Sequence, residues 1–153
     1  MKFLIPGGAG YIGVHISCML LQNGHDVVII DNLSNSGIDS IKSLESLANK
    51  KVTFYEGNIC DQSILIKIFQ AHKFDAVIHL AALKSVSESI LRPKDYFYNN
   101  CEGAFCLLGV MRSFNVKNLI FSSSATVYGI PEYLPIDENH PLSSINPYAE
   151  TKL

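Results

Sequence analysis

The chain has 153 residues, with 14 acidic side chains against 12 basic ones and a formal net charge of −2. At roughly 100–200 residues per domain, this length predicts a single domain with a buried core, and a chain without any run rich in lysine and arginine is not expected to bind nucleic acid. No apolar stretch approaches the ~18 residues of a membrane span and Pro6 interrupts the apolar start, so we expect a cytoplasmic protein without a membrane partner.

Short β-branched runs alternate with longer segments of helical periodicity. Five almost entirely apolar runs predict buried parallel strands, at 2–5, 27–30, 52–55, 76–80 and 119–122. The segments that predict helices are 11–23, 39–48, 61–71 with Asp61 as its N-cap, and 93–114. Because crossovers between parallel strands are right-handed, this α/β alternation predicts a doubly wound, Rossmann-type parallel sheet with strand order 3-2-1-4-5.

The segment after the fifth strand is irregular and punctuated by proline until a last helix begins. Asn146 is the predicted N-cap of that helix and Pro147 its first residue. The helix reaches Leu153 within a few residues, and a helix this short is marginal in water unless tertiary packing holds it. We therefore expect this segment to be poorly held, and the chain to be the N-terminal part of a longer fold.

The cysteines and histidines predict no metal site or disulfide. The cysteines contain no C-x-x-C pair and lie in apolar periodic segments, at Cys18, Cys60, Cys101 and Cys106. That arrangement favours buried free thiols over a disulfide or zinc framework. His79 lies within the fourth predicted strand without a second ligand at metal spacing, so we interpret it as a core residue.

A glycine-rich segment directly follows the first predicted strand. Gly8, Gly10 and Gly13 form G-x-G-x-x-G, preceded by Gly7, and Asp31 ends the second strand. Such glycines allow a tight turn and close approach of a pyrophosphate to the N-terminus of the next helix. A carboxylate at Asp31 would accept hydrogen bonds from ribose hydroxyls and repel a 2′-phosphate, so NAD is favoured over NADP. The alternative is a plain strand-to-helix turn with Asp31 as a cap.

The second motif is Y-x-x-x-K, formed by Tyr148 and Lys152, together with Ser124 after the fifth strand. The i,i+4 spacing places Tyr148 and Lys152 on one helical face. An ammonium close to a phenol favours the phenolate, which makes the tyrosine a useful base, and Ser124 could share the substrate proton. A surface Tyr/Lys pair is the alternative, but the dinucleotide motif earlier in the chain favours the catalytic interpretation.

Taken together, these motifs resemble the extended short-chain dehydrogenases/reductases and, within them, the UDP-glucose 4-epimerase family. The resemblance covers the whole chain and rests on the stretches 7–13, 31–36, 83–89, 122–129 and 148–152. Beyond the four glycines, it implies NAD contacts from Tyr11, Ile12, Asp31, Asn32, Leu33, Ser34, Asn35, Ser36, Asn58, Ile59, Leu80, Ala81, Ala82, Leu83, Lys84, Asn99, Ser124, Tyr148 and Lys152. It also implies that Ser124 and Tyr148 face the sugar.

The activity that the resemblance implies is the interconversion of UDP-galactose and UDP-glucose. Tyr148 would remove the proton of the 4-hydroxyl while hydride passes from C4 to NAD⁺, and the 4-keto intermediate would take the hydride back on its other face. Members of the family are roughly twice this length, so 1–153 would be an incomplete NAD-binding domain without the substrate domain. We therefore expect the chain alone to be inactive, with its fifth strand as a bare edge.

Two other functions stay open. A non-catalytic NAD-binding module or partner subunit would share the glycine motif, and a nucleotide-sugar dehydratase would share the Y-x-x-x-K. The absence of an acidic residue among Ser124, Ala125 and Thr126 argues against the dehydratase. A homodimer through the helix 93–114 is a further expectation.

Several positions depart from the family pattern, among them Pro6 and Asn58 close to the cofactor motifs. Pro6 stands where the family usually has threonine, which removes a hydroxyl and a backbone N–H beside the glycine loop. Asn58 replaces the usual aspartate near the adenine and keeps an acceptor without the charge. We expect the first change to affect cofactor affinity more than the second.

Overall fold

A single parallel sheet is formed by five strands. The computed structural model describes all of residues 1–153. The strands are β1 (Lys2–Pro6), β2 (Asp26–Asp31), β3 (Thr53–Glu56), β4 (Ala76–His79) and β5 (Leu119–Phe121). Their order, β3-β2-β1-β4-β5, confirms the predicted topology. In the register of the sheet, Leu4 of the central strand β1 lies opposite Val28 on one side and Val77 on the other.

Seven α-helices accompany the strands. They are α1 (Tyr11–Gln22), α2 (Ile38–Ala48), α3 (Gln62–Ala71), α4 (Val86–Leu91), α5 (Pro93–Tyr96), α6 (Gly103–Ser113) and α7 (Pro147–Glu150). The predicted N-cap of α3 is confirmed, because the Asp61 side chain accepts the Ser63 N–H. The prediction of one α-helix over 93–114 is wrong. A six-residue π-helix, Phe97–Glu102, separates α5 from α6 and shifts the side chains that follow it to new directions.

The chain divides into two compact units. The sheet unit comprises residues 1–81 and 103–121 and contains all five strands with α1, α2, α3 and α6. The short-helix unit comprises residues 82–102 and 122–153 and contains α4, α5, the π-helix, a 3₁₀ helix at Ala125–Tyr128, and α7. Neither α4 nor the 3₁₀ helix was predicted from the sequence.

The three inner strands, β2, β1 and β4, are buried on both faces, which explains why they are apolar at consecutive positions. Alternate residues of a strand point to opposite faces. Leu4, Val28 and Val77 lie in the cluster that includes residues of α3 and α6. Phe3 and Ile5 lie in the second cluster, with residues of α1 and α2. A strand placed in this way gains from apolar side chains on either face, unlike a strand with one side in water.

Pro6 ends the central strand without opening the sheet. Proline has no N–H for a ladder hydrogen bond, so it is tolerated where the ladder finishes. The Pro6 carbonyl still accepts the N–H of Leu80 at 2.9 Å. At the edge of the sheet, Ile120 and Phe121 of β5 are 59% and 40% exposed, as expected for an uncovered edge strand.

In the short-helix unit, α7 is held by its cap and by burial. The Asn146 side chain accepts the Ala149 N–H at 2.8 Å and Pro147 is the first helical residue, which confirms both predictions. Ala149, Thr151 and Lys152 are buried. A helix of this length is marginal on its own, so the tertiary packing supplies what its few internal hydrogen bonds do not.

Candidate functional site

The glycine loop of the sheet unit makes a turn that only small residues allow. Gly7 has φ of +79°, in the left-handed region, and a Cβ added there would lie 2.4 Å from the backbone nitrogen of Ala81. A Cβ on Gly13 would lie 2.6 Å from the Gly7 carbonyl oxygen. The first glycine therefore serves the turn, and the last one lets α1 pack directly on the loop.

Gly10, by contrast, is not demanded by the packing of the protein itself. A Cβ added to Gly10 would meet only the Gly7 carbonyl oxygen, at an ordinary 3.4 Å. Gly10 is also the N-cap of α1, where it offers no side-chain cap, and the first turn carries no acidic residue. The first N–H groups of a helix have no partner within the helix and favour an anion. The loop therefore suits a phosphate group that approaches the backbone at Gly10.

Asp31 is fixed at the end of β2 by three hydrogen bonds within the sheet unit. One carboxylate oxygen, Oδ2, accepts the Ala9 N–H at 3.0 Å, which ties Asp31 to the glycine loop. The other, Oδ1, accepts the Leu33 N–H at 2.9 Å and the Ser36 hydroxyl at 3.2 Å. A carboxylate offers about four acceptor sites, so one remains on Oδ2 for a ligand hydroxyl.

The remaining sheet-unit candidates present a mixture of backbone and side-chain groups. Ile59 is buried in the core, so the NAD contact expected from it would come from its backbone. The Asn58 side-chain oxygen accepts the Cys60 N–H at 2.9 Å and keeps a second lone pair. Leu80 directly follows β4, and its N–H donates to the Pro6 carbonyl. Tyr11 is exposed on α1, with its ring 4.5 Å from that of His15.

Ser124 caps the 3₁₀ helix of the short-helix unit. Its Oγ accepts the Thr126 N–H at 3.3 Å and the Thr126 hydroxyl at 2.9 Å. Because both bonds use Ser124 as an acceptor, its own hydroxyl proton is left to donate to a ligand oxygen. The position of Thr126 as a donor to Ser124 was not predicted from the sequence.

Lys152 is the buried cation of this unit. Its Nζ donates to the Ser122 carbonyl at 2.8 Å, and the Ser123 hydroxyl donates to the Lys152 carbonyl at 2.9 Å. The side chain is only 6% exposed. Burial disfavours the ammonium and lowers the pKa of Lys152 from 10.5 to about 8, with a smaller opposing effect from the Cys101 thiol.

Tyr148 lies on α7, one helical turn before Lys152. Thr151 N–H donates to the Pro147 carbonyl at 3.0 Å and Leu153 N–H to the Ala149 carbonyl at 3.1 Å, so the helical path continues beyond Glu150. Tyr148 and Lys152 thus keep the i,i+4 relation that places them on one face. The Tyr148 ring is half-buried and meets the ring of Tyr96 edge to face, at 6.5 Å between centroids.

Asn99 and Asn100 occupy the centre of the π-helix. Asn99 is half-buried, and its Nδ2 donates to Oδ1 of Asn100 at 2.9 Å. Asn100 is buried and binds both backbone groups of Leu83, as well as Thr151. The resemblance implies a cofactor contact from Asn99, whereas the buried role of Asn100 was not predicted from the sequence.

The remaining candidates differ in their exposure and in their local contacts. Lys84 is exposed and Ala82 is half-buried in the short-helix unit. Asn32 uses its side-chain oxygen to accept the Ser34 N–H at 3.1 Å, and Asn35 is exposed. His79 is buried in β4 with its ring 5.6 Å from that of Phe121. No group of three or more potential metal ligands is present, and no helix is long and apolar enough to cross a membrane.

Comparisons with known proteins match the whole chain. The family model described as GDP-mannose 4,6 dehydratase matches residues 4–153. The UDP-glucose 4-epimerase of Bacillus subtilis is 45% identical over 153 residues, which is 100% of this chain and 45% of the relative. That of Yersinia enterocolitica is 49% identical over 154 residues, or 100% and 46%. The chain therefore spans a little less than half the length of the curated relatives it matches.

A solved structure shows the same backbone arrangement. UDP-glucose 4-epimerase from Bifidobacterium longum, in complex with NAD⁺ and UDP, has a TM-score of 0.98 and 42% sequence identity. The match covers 99% of this chain and 46% of that chain. The loop, the end of β2 and the Y-x-x-x-K of this protein thus lie on a backbone like that of an enzyme crystallised with a dinucleotide.

Proposed function

Because the chain belongs to the family that the GDP-mannose 4,6 dehydratase model describes, we propose that it is the NAD-binding part of a UDP-glucose 4-epimerase. The reaction is the interconversion of UDP-galactose and UDP-glucose by inversion at C4 of the sugar. The similarity to epimerases over all 153 residues supports this substrate class. The buried Lys152 of the Y-x-x-x-K carries the catalytic part of the proposal.

NAD fits the residues of the sheet unit. The first turn of α1 would take the pyrophosphate, because Gly10 places no side chain beside N–H groups that lack helical partners. The free acceptor site of Asp31 would take an adenosine ribose hydroxyl, which favours NAD over NADP. When bound, NAD supplies a reversible hydride acceptor that ends each turnover in its starting redox state.

Tyr148 is the proposed base, and Lys152 and Ser124 support it. Tyr148 takes the proton of the sugar 4-hydroxyl and returns it after the 4-keto sugar has rotated to present its opposite face and has taken the hydride back. The Lys152 ammonium, fixed by the Ser122 carbonyl, places a positive charge on the same helical face and stabilises the phenolate. Ser124 donates its hydroxyl proton to the same sugar oxygen, which its bonds to Thr126 leave available.

The structure also bears on the two alternatives. A dehydratase needs an acid and a base to eliminate water, and neither Ala125 nor Thr126 supplies a carboxyl group; Thr126 is engaged with Ser124. A module that only bound NAD would also use Lys152, which is expected to contact the cofactor, so the turnover of UDP-galactose is what separates such a module from the epimerase. The missing carboxyl group favours the epimerase over the dehydratase.

The proposal is tested on the full-length protein, meaning the complete epimerase of which these 153 residues would be the NAD-binding part. The assay supplies UDP-galactose and measures the formation of UDP-glucose. Tyr148→Phe should retain bound NAD and lower turnover at least ~10²-fold, the scale of a lost general base. Tyr55→Phe is the matched control, because the Tyr55 hydroxyl bonds only to His72 in the sheet unit and its loss should leave turnover unchanged. Near-normal turnover by the Tyr148 variant would exclude Tyr148 as the base. No turnover by the unmodified protein would exclude the epimerase reaction.

We also propose a homodimer through α6 and a cytoplasmic location. Phe105 and Leu108, at i,i+3 on α6, are exposed, which supports a self-association face there. The four cysteines are free thiols, which suits a reducing compartment. Phe105→Asp should shift the mass measured by analytical ultracentrifugation to that of the monomer, and an unchanged mass would place the interface elsewhere.

A further inference from the structure

The side chain of Asn100 makes every hydrogen bond that a carboxamide can make. It is only 3% exposed. Its Nδ2 donates to the Leu83 carbonyl at 3.0 Å and to Thr151 Oγ1 at 2.9 Å. Its Oδ1 accepts the Leu83 N–H at 2.8 Å and Asn99 Nδ2 at 2.9 Å. With two donors and two acceptor sites used, rotating the amide by half a turn would place like groups against each other at each contact.

Thr151 links Asn100 to Tyr148, the residue proposed as the base. The Thr151 hydroxyl donates to the Tyr148 carbonyl at 2.7 Å. Its proton is therefore committed to Tyr148, and its oxygen is the acceptor that Asn100 requires. The bonds run in one direction, from Asn100 through Thr151 to Tyr148, and a hydroxyl is required at position 151.

A second contact holds the Tyr148 ring within the same unit. Tyr96 is completely buried, and its hydroxyl accepts the Ser85 N–H at 3.0 Å and donates to Glu88 at 2.9 Å. Its ring meets Tyr148 edge to face. Tyr96 ends α5, and Asn100 follows it by four residues in the π-helix. Neighbouring turns therefore contact the Tyr148 ring directly, through Tyr96, and the Tyr148 carbonyl indirectly, through the bond from Asn100 to Thr151.

We propose that Asn100, acting through Thr151, is a positioning residue that sets the place of the Tyr148 phenol. The role of Tyr148 as a base rests on the proposed function, whereas the contacts of Asn100 and Thr151 do not depend on it. Short helices such as α7 owe their order to tertiary contacts, and the Asn100–Thr151 bond joins α7 to the π-helix. Misplacement of a reacting group by about 1 Å costs on the order of 10²-fold in rate.

Three substitutions in the full-length protein test the direction of the bonds. Asn100→Asp keeps the shape and removes both donors, so Thr151 must turn its proton away from Tyr148. Thr151→Val keeps the shape and removes the hydroxyl, whereas Thr151→Ser keeps the hydroxyl. Val110→Ala, in the core of the sheet unit, is the control for a general loss of stability.

The first measurement is amide hydrogen exchange of the peptide 146–153, which does not depend on any activity. We expect exchange to be faster by about tenfold or more in Asn100→Asp and Thr151→Val, and unchanged in Thr151→Ser and Val110→Ala. The second measurement is the turnover of UDP-galactose. We expect kcat to fall about 10- to 100-fold in the first two variants while KM changes less than threefold, with Thr151→Ser within threefold of the unmodified protein.

Each outcome decides between distinct conclusions. Unchanged exchange at 146–153 in both Asn100→Asp and Thr151→Val overturns the proposal, whatever the activity. A fall in kcat that Val110→Ala reproduces, or that Thr151→Ser fails to avoid, also overturns it. If the unmodified protein does not turn over UDP-galactose, the proposed function fails, and the exchange measurement alone decides whether Asn100 positions Tyr148.

Discussion

Burial of Lys152 predicts a specific dependence of stability on pH. The pKa of Lys152 is lowered by burial from 10.5 to about 8 in the folded protein. A lysine whose pKa is lowered by folding opposes folding at every pH at which it is charged in the unfolded chain. The cost is complete below pH 8, diminishes as the pH rises, and is absent above the unfolded value of 10.5.

The size of this effect follows from the difference between the two pKa values. At about 1.4 kcal/mol for each pKa unit, the cost of charging Lys152 in the folded protein is about 3 kcal/mol below pH 8. Lys152→Met removes the titration together with the bond to Ser122. Whatever that bond contributes, it shifts the stability difference between the two proteins by a constant, so the pH-dependent part belongs to the amine.

The measurement is denaturant unfolding of the full-length protein and of Lys152→Met, without NAD, between pH 6.5 and 10.5. We expect the unmodified protein to gain about 3 kcal/mol relative to the variant over the upper part of this range. Lys94→Met removes an exposed lysine from the same unit and serves as the matched control. The reasoning is refuted if the stability difference stays constant with pH, runs in the opposite direction, or is no larger than in the control.

Further predictions concern the cofactor and the isolated chain. Asp31→Ala should narrow the preference for NADH over NADPH by about 1–3 kcal/mol in a fluorescence titration, and equal affinities in the unmodified protein would contradict the assignment of Asp31. Gly10→Ala should leave the Tm unchanged and weaken NADH binding at least tenfold. Gly13→Ala should lower the Tm, because its Cβ would lie 2.6 Å from the Gly7 carbonyl oxygen. An equal loss of Tm in the two variants would contradict the different roles assigned to Gly10 and Gly13. The 153 residues expressed alone should not convert UDP-galactose, since the curated relatives are about twice as long; steady turnover would show that they suffice.

The sheet could be predicted from the sequence because local and global preferences agree there. The strands are short and mostly apolar, and right-handed crossovers restrict the sheet to a few doubly wound orders, of which 3-2-1-4-5 is the usual one in dinucleotide-binding folds. The helix over 93–114 was not predicted correctly, because its amphipathic pattern is continuous across the π-helix. Widening at 97–102 accompanies the contacts that Asn100 makes with Leu83 and Thr151, which are distant in sequence.

The candidate site was predictable as a set of residues, but not as a set of contacts. The position of Asp31 follows from strand length, whereas its bonds to Ala9 and Ser36 depend on how the following loop folds. The burial of Lys152 could not be predicted, since lysine is rarely buried and only the fold places the Ser122 carbonyl next to it. The one available signal for Asn100 was its poor helix propensity, which pointed to a partner without naming it.

The π-helix makes the number of residues between Tyr96 and Asn100, which contacts Thr151, as important as the identity of those residues. Each residue of a helix turns the next side chain by about 100°. Loss of one codon within 97–102 would close this segment as an ordinary α-helix and turn the Asn100 amide away from Leu83. We therefore expect single-residue, in-frame deletions here to be more damaging than most substitutions, and a library that includes such deletions would map the constraint by length instead of by chemistry.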